Sequence, residues 1–182
     1  MDILSFCRLP SPLGEIAAIA SDSGLCGLEF QETDETTHAK TDLQHLFPDS
    51  ELSERDHPLL QQTRQWLRQY FQAKFDQLGQ IPLDLRGTAF QTRVWKQLLN
   101  IKPAKTISYG ELATVLELPQ GARAIGMAVG RNPVAVIVPC HRVSWAKWIA
   151  NRLRRRIAPE TMAAGARGCD SNQSLFRCLV FD

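Results

Sequence analysis

Residues 87–143 read GTAFQTRVWKQLLNIKPAKTISYGELATVLELPQGARAIGMAVGRNPVAVIVPCHRV, and this stretch decides the fold. Thr88 and Gln91 form the T-x-x-Q capping box, in which each side chain satisfies a backbone N–H at a helix start. The helix they open carries Phe90, Val94, Trp95 and Leu98 on one face. Ser108 and Glu111 repeat the device as S-x-x-E, opening a helix with Leu112, Ala113 and Leu116 inward. A short connection, Glu117-Leu118-Pro119-Gln120-Gly121, leads to a third helix from Ala122 to about Val129. Two short helices joined by a tight glycine-containing turn in a basic segment predict a helix-turn-helix, although an ordinary helical hairpin meets the same description. The third helix is rich in small residues (Ala122, Ala124, Gly126, Ala128, Gly130), so its backbone can approach a partner closely. After Asn132-Pro133, the five apolar residues Val134–Val138 predict a short strand buried on both sides. It delivers Pro139-Cys140-His141-Arg142 at its end.

A cysteine beside a histidine suggests a thiolate nucleophile. A free thiol titrates near pKa ~8.5, and His or Arg neighbours lower that value. Adjacent residues of an extended chain point apart, so Cys140 and His141 cooperate only if the chain turns there or a water bridges them. The competing reading is a buried, inert cysteine.

Working outward, the first forty residues read as strands and turns. Leu4–Arg8 is followed by the breaker Pro10-Ser11-Pro12, then Ile16–Ala20, a turn at Ser21–Gly24, and Leu25–Phe30. Residues 31–57 are polar and acidic, and read as loop with a short helix around Leu43–Phe47. Asp56 as N-cap and Pro58 just inside predict a helix to about Lys74, with Leu59, Thr63, Trp66, Leu67, Tyr70 and Phe71 on one face. The expected fold class is α/β. A small sheet-plus-helix module, residues 1–86, is followed by a mostly helical module, residues 87–143, with a helix-turn-helix and a short buried strand. Residues 144–182 are expected to form an atypical, poorly ordered tail.

The chain has 182 residues, 44% hydrophobic and 22% charged, which excludes collagen and a disordered chain; no apolar run approaches the ~20 residues of a membrane span. The net charge of +2 conceals a division. Residues 1–86 carry 7 Lys/Arg against 14 Asp/Glu (−7), residues 87–143 carry 7 against 2 (+5), and residues 144–182 carry 7 against 3 (+4). The basic second half is suited to a polyanion, or is simply one pole of a dipolar surface. The five cysteines Cys7, Cys26, Cys140, Cys169 and Cys178 include no CxxC pair, and the start MDILSFCRLP lacks a signal-peptide pattern. A cytoplasmic protein with free thiols is the expectation. His38, His45, His57 and His141 show no paired zinc spacing, so no metal and no cofactor is expected.

The segments GTAFQTRVWKQL, ISYGELA, ARAIGMAVGRNP and IVPCHRV occur in order. Together they resemble the methylated-DNA–protein-cysteine methyltransferases, or alkylguanine-DNA alkyltransferases. The resemblance runs from about Pro82 to Val143, and more weakly through the PLG of Pro12–Gly14 and WLRQYF into a ribonuclease-H-like first module. It implies irreversible, single-turnover transfer of an alkyl group from the 6-oxygen of guanine, and possibly the 4-oxygen of thymine, to Cys140. It implies Cys140, His141, Tyr109 and Asn132 as the catalytic set: nucleophile, proton relay through water, stabiliser of the guanine leaving group beside the target phosphate, and tie between active-site turn and helix-turn-helix. Arg123, matching the arginine that fills the gap of the flipped base, would join Tyr109, Ala122, Ala124, Gly126 and Arg131 at DNA. The partner implied is alkylated double-stranded DNA, read through the minor groove by a monomer with no membrane association. Some members hold zinc near the N-terminus; Cys7 and Cys26 could supply two thiolates, but no matching histidine pair accompanies them.

The resemblance breaks after Val143. The family continues with a glycine-rich segment and a helix whose glutamate completes the relay, whereas this chain reads SWAKWIANRLRRRIAPETMAAGARGCDSNQSLFRCLVFD. Reading from one base later with allowed codons restores a Gly-Tyr-x-Gly-Gly segment, so a frame shift at Val143–Ser144 accounts for the change. Weakened alkyl transfer is the expected consequence. A noncatalytic helix-turn-helix DNA-binding protein or damage sensor is the alternative, and a cysteine hydrolase, which leaves the helix-turn-helix without purpose, is third.

Overall fold

The computed structural model describes residues 2–31, 47 and 49–144. The chain divides into two compact units between Arg86 and Gly87.

In the first unit, β1 (Asp2–Ser11), β2 (Gly14–Ala20), β3 (Leu25–Phe30) and β4 (Ser50–Glu54) form a sheet in the order β3-β2-β1-β4, and α1 (Pro58–Phe71) packs on β1 and β2. The meander expected for β1–β3 is present, with Ser5–Ser11 antiparallel to Gly14–Ala20 and Ile16–Ala20 antiparallel to Leu25–Phe30. Pro10 does not end β1. It lies beyond Phe6, the last residue that pairs with β4, where β1 is paired on one side and a residue without N–H is tolerated. The hairpin tip is closed by Ser11 Oγ, which donates to Gly14 O (2.6 Å) and accepts from Leu13 N (3.2 Å), with Gly14 at φ +116°.

Three expectations need correction here. Residues 50–54, read as loop, form β4 parallel to β1. SELSE is a polar edge strand that buries only Ser50 and Leu52, and two buried residues leave no run for a pattern search to find. The N-cap of α1 is His57, not Asp56. His57 Nδ1 accepts from Leu59 N (3.2 Å), while the Asp56 carboxylate accepts from Gln61 Nε2. The helix also stops at Phe71 rather than near Lys74. Ala73 turns left-handed (φ 57°), and Lys74 N and Ala73 N bond back to Gln69 O and Tyr70 O, closing a Schellman cap. The short helix expected at 43–47 lies outside the described residues except for Phe47, which is buried.

One face of the sheet gathers Leu4, Phe6, Ala17, Ile19, Cys26, Phe47 and Leu52, the larger of which contribute about 1.5–3 kcal/mol each on full burial. Residues 82–84 are pinned to β3 by Leu25 N–Pro82 O (2.8 Å) and Asp84 N–Leu25 O (3.0 Å). This close pass requires Gly24, because a Cβ there would lie 2.6 Å from Asp84 N. Asp84 then accepts from Ser21 Oγ (2.8 Å) and Arg86 Nε (2.9 Å), and Arg86 reaches Asp2 at 3.3 Å.

The second unit contains α2 (Ala89–Leu98), α3 (Tyr109–Val115) and α4 (Ala122–Gly130), with β5 (Ile107–Ser108) and β6 (Val143–Ser144) paired in parallel. Both capping boxes are formed. Val94, Trp95, Leu98, Leu112, Ala113, Leu116, Ile125, Ala128 and Val129 are buried, and α4 packs against both α2 and α3. Trp95 Nε1 donates to Ala128 O (2.8 Å), and Arg93 Nη2 to Leu116 O (2.8 Å). The α3–α4 connection turns at Glu117 (φ 59°), with Leu118 N on Ala113 O and Glu117 N on Thr114 O, another Schellman cap. Gly121 closes it, since a Cβ there would sit 2.9 Å from Leu118 Cβ.

The strand expected at Val134–Val138 is a turn. Val134, Val136 and Val138 are buried, which gives the alternation of a strand, but apart from a single bridge residue at Val134 the bonds among the described residues are local: Val138 N to Val134 O (3.0 Å) and Ile137 N to Ala135 O (2.8 Å). Val136 is left-handed at φ 69°, which a β-branched residue adopts only under constraint from its surroundings. The short strand that does follow the turn is β6.

Candidate active site and nucleic-acid interface

Cys140 opens a single 3-10 turn, Cys140–Arg142, immediately after buried Pro139. The chain therefore turns at the point where an extended strand would have sent Cys140 and His141 to opposite sides. Asn132 organises the approach. Its Nδ2 donates to Val138 O (2.9 Å) and Val134 O (3.3 Å), and its Oδ1 accepts from Val134 N (3.1 Å). One side chain thus ties Val134 to Val138 and holds the intervening Val136 in its left-handed conformation. Because Asn132 follows α4 by two residues, it couples that helix to the cysteine turn through covalent continuity as well as hydrogen bonds.

The electrostatics of the turn are mixed. Burial pushes the Cys140 thiol above its ordinary value, opposed by a hydrogen bond from Asn132 and by the N–H groups of His141 and Cys140. At neutral pH the resting side chain is a thiol, and Asn132 and the backbone of the turn favour its ionised form against burial. His141 is held down to about 3, by burial first and then by the positive charge of Arg142, so it is a neutral imidazole throughout the physiological range. Tyr109, the first residue of α3, is raised by burial and secondarily by the charge of Cys140, so the phenol lies within electrostatic range of the thiol. The β5–β6 ladder explains that proximity: Ser108 pairs with Ser144, so the start of α3 lies against the chain leaving the cysteine turn. Arg142 Nη1, absent from the sequence candidates, donates to Ile101 O (2.7 Å) and fixes the far side of the turn. A bare arginine after PCH carries no local signal for that contact, which spans 41 positions.

The structure thus brings Cys140, Tyr109 and Asn132 together, with His141 next in the chain. The remaining candidates lie on α4 or at its end. Arg123, Ala124 and Arg131 are exposed, and Ala122 and Gly126 are partly covered, on the helix whose other side buries Ile125, Ala128 and Val129. Met127, not among the sequence candidates, is also exposed, at 57%. Cys7 and Cys26 behave as structural thiols: burial pushes Cys26 up to about 12 and raises Cys7 despite the nearby Arg64. Among the described residues no three His, Cys, Asp or Glu converge as a metal site. The sequence departure after Val143, and the proposed change of reading frame, lie outside the described residues apart from Ser144.

A thiol presented on a constrained turn beside a helix-turn-helix, preceded by a small α/β unit, defines a class of two-unit proteins. The models of that class match: the ribonuclease-like domain of 6-O-methylguanine DNA methyltransferase over residues 8–85, and its DNA binding domain over residues 89–158. The methylated-DNA–protein-cysteine methyltransferase of Haemophilus influenzae is 32% identical over 144 residues, 79% of this chain and 74% of the relative. A crystal structure of Mycobacterium tuberculosis O6-methylguanine methyltransferase superposes with a TM-score of 0.64 at 31% identity, covering 95% of this chain and 99% of that one. A structure of Mycobacterium tuberculosis OGT in complex with DNA gives 0.62 at 29% identity, covering 99% of each. The chain belongs to the 6-O-methylguanine DNA methyltransferase family.

Proposed function

We propose that this protein repairs DNA by taking the alkyl group of 6-O-alkylguanine irreversibly onto Cys140. The observation that carries the reading is the environment of the thiol: a strained turn fixed by Asn132, polar groups of Asn132 and the turn backbone that favour the ionised sulfur, and Tyr109 within electrostatic reach. In the reaction the Cys140 S–H proton leaves, an S–C bond forms, and the O–C bond at guanine breaks. The electron pair of that bond stays on the base, which takes up a proton. His141, neutral at working pH, can accept the thiol proton through a water and pass it on. Tyr109 is suited to stabilise charge on the departing guanine. The thioether has no good leaving group, so each molecule acts once.

The base must leave the duplex to meet the sulfur, at a cost of a few kcal/mol. Arg123 is assigned to the vacated space. Ala122, Ala124 and Gly126 are assigned to close approach of α4 in the minor groove, and Arg131 to the backbone. We assign a monomer with no cofactor, in the cytoplasm, a location consistent with the free thiols Cys7, Cys26 and Cys140. Among the described residues, no helix is long and apolar enough to cross a membrane.

The test is intact-mass measurement after incubation with a duplex containing one 6-O-methylguanine. A stoichiometric gain of one methyl group that C140S abolishes is expected; binding without any mass gain overturns the reading. Followed in time, the same experiment reads the weaker transfer implied by the altered sequence after Val143.

A further inference from the structure

The loop between α2 and β5 is stapled at both ends to the residues that follow the cysteine. At its start, Ile101 O accepts from Arg142 Nη1 (2.7 Å); at its end, Ile107 pairs with Val143. Whatever residues 102–106 carry is therefore held at a fixed place two to three residues downstream of Cys140. They carry charge. Lys105 N donates to Lys102 O (3.1 Å) across Pro103-Ala104, and Ala104 is left-handed at φ 58°. Proline at the second position and positive φ at the third define a type II turn, which sets the Cα atoms of Lys102 and Lys105 within about 7 Å of each other. Both lysines are exposed, and no carboxylate lies between them in the sequence. The turn is rigid for a surface loop, with proline fixing one torsion and the staples fixing both ends.

We propose that the Lys102–Lys105 turn is a phosphate clamp that holds the nucleic-acid backbone at the rim of the cysteine site, separately from α4. The proposal rests on the duplex-binding reading above and deepens it. A helix in a groove fixes register but leaves the substrate free to rock about the helix axis. A second cationic contact, anchored to the chain segment that carries the nucleophile, removes that freedom where the reacting atoms must align. Lysine suits the task, since a point charge on a long stem tolerates any sequence and any phosphate geometry.

The test uses the full chain and an unmethylated duplex, with affinity measured over a range of salt. Each lost phosphate contact lowers the slope of log K against log salt by about 0.9, so K102Q/K105Q should lose nearly two units of slope. The corresponding loss of affinity has a ceiling of roughly 60-fold near 0.1 M salt. Methylated and unmethylated duplexes should be weakened alike, K102R/K105R should keep the wild-type slope, and methyl transfer from free 6-O-methylguanine base should be unchanged. A wild-type slope in K102Q/K105Q overturns the clamp, as does an equal fall in the free-base reaction. Failure of the wild-type chain to bind duplex at all overturns instead the reading on which the clamp rests.

Discussion

Replacing Asn132 with alanine should damage stability and thiol chemistry together, because one side chain serves both. The residue makes three hydrogen bonds to the backbone of the turn, at 2.9, 3.1 and 3.3 Å. A net contribution of about 1 kcal/mol for each of the two shorter bonds, and less for the longest, gives roughly 2–3 kcal/mol. The left-handed Val136 loses its restraint at the same time, and relaxing that strain, of order 1–3 kcal/mol, returns part of the loss. A net destabilisation of about 1 kcal/mol is expected, read as a lower urea midpoint with unchanged slope. The chemical consequence has a definite sign. The Asn132 bond lowers the Cys140 pKa against the dominant effect of burial, so N132A must move thiolate formation to higher pH. Alkylation of Cys140 by a small neutral reagent, followed against pH, reads this directly. An unchanged urea midpoint with an unchanged pH profile would refute the idea that Asn132 ties the turn together.

The half-buried, neutral His141 predicts acid lability. Its folded pKa of about 3 lies below the ordinary 6.5, so the stabilisation is complete above pH 6.5 and is lost as pH falls toward 3. Between pH 6.5 and 4.5 this amounts to about 2–3 kcal/mol, and H141Q should show a correspondingly flatter acid profile in urea unfolding than the wild-type chain. The α3–α4 connection predicts opposite effects four residues apart. G121A drives a Cβ to 2.9 Å from Leu118 Cβ and 3.0 Å from its carbonyl oxygen and should cost about 1–3 kcal/mol. E117G relieves a left-handed non-glycine residue and should gain up to about 1 kcal/mol; chemical denaturation checks both.

Elements whose signal is local were legible in the sequence. Thr88/Gln91 and Ser108/Glu111 are three residues apart, satisfy each other's backbone, and open helices wherever the rest of the chain goes. The meander of β1–β3 follows from apolar runs punctuated by Pro12 and Gly24, and the cysteine turn was recognisable because PCHR with its flanking segments is a specific pattern. The two strand errors share a cause. Val134–Val138 has the composition and burial alternation of a strand, and Ser50–Glu54 has neither the length nor the apolarity of one. Being a strand is a property of having a partner over several residues: β1 offers Ser50–Glu54 an open edge, while Val134–Val138 keeps at most one bridge residue, Val134, and bends away through Asn132 and local backbone bonds.

The sequence alone determined which residues are available for the chemistry, the thiol, the imidazole, the phenol and the arginine-bearing helix, and the order in which they arrive. Tertiary structure decided their relations. Tyr109 comes within electrostatic range of Cys140 because a two-residue ladder joins positions 36 apart (107 and 143), and Arg142 anchors the turn across 41. The imidazole of His141 is neutral because packing removes water from it, and the turn holds Val136 left-handed because Asn132 restrains it. Burial and long-range hydrogen bonds depend on what lies nearby in space, and spacing along the chain carries that information only for neighbours within a turn or a hairpin.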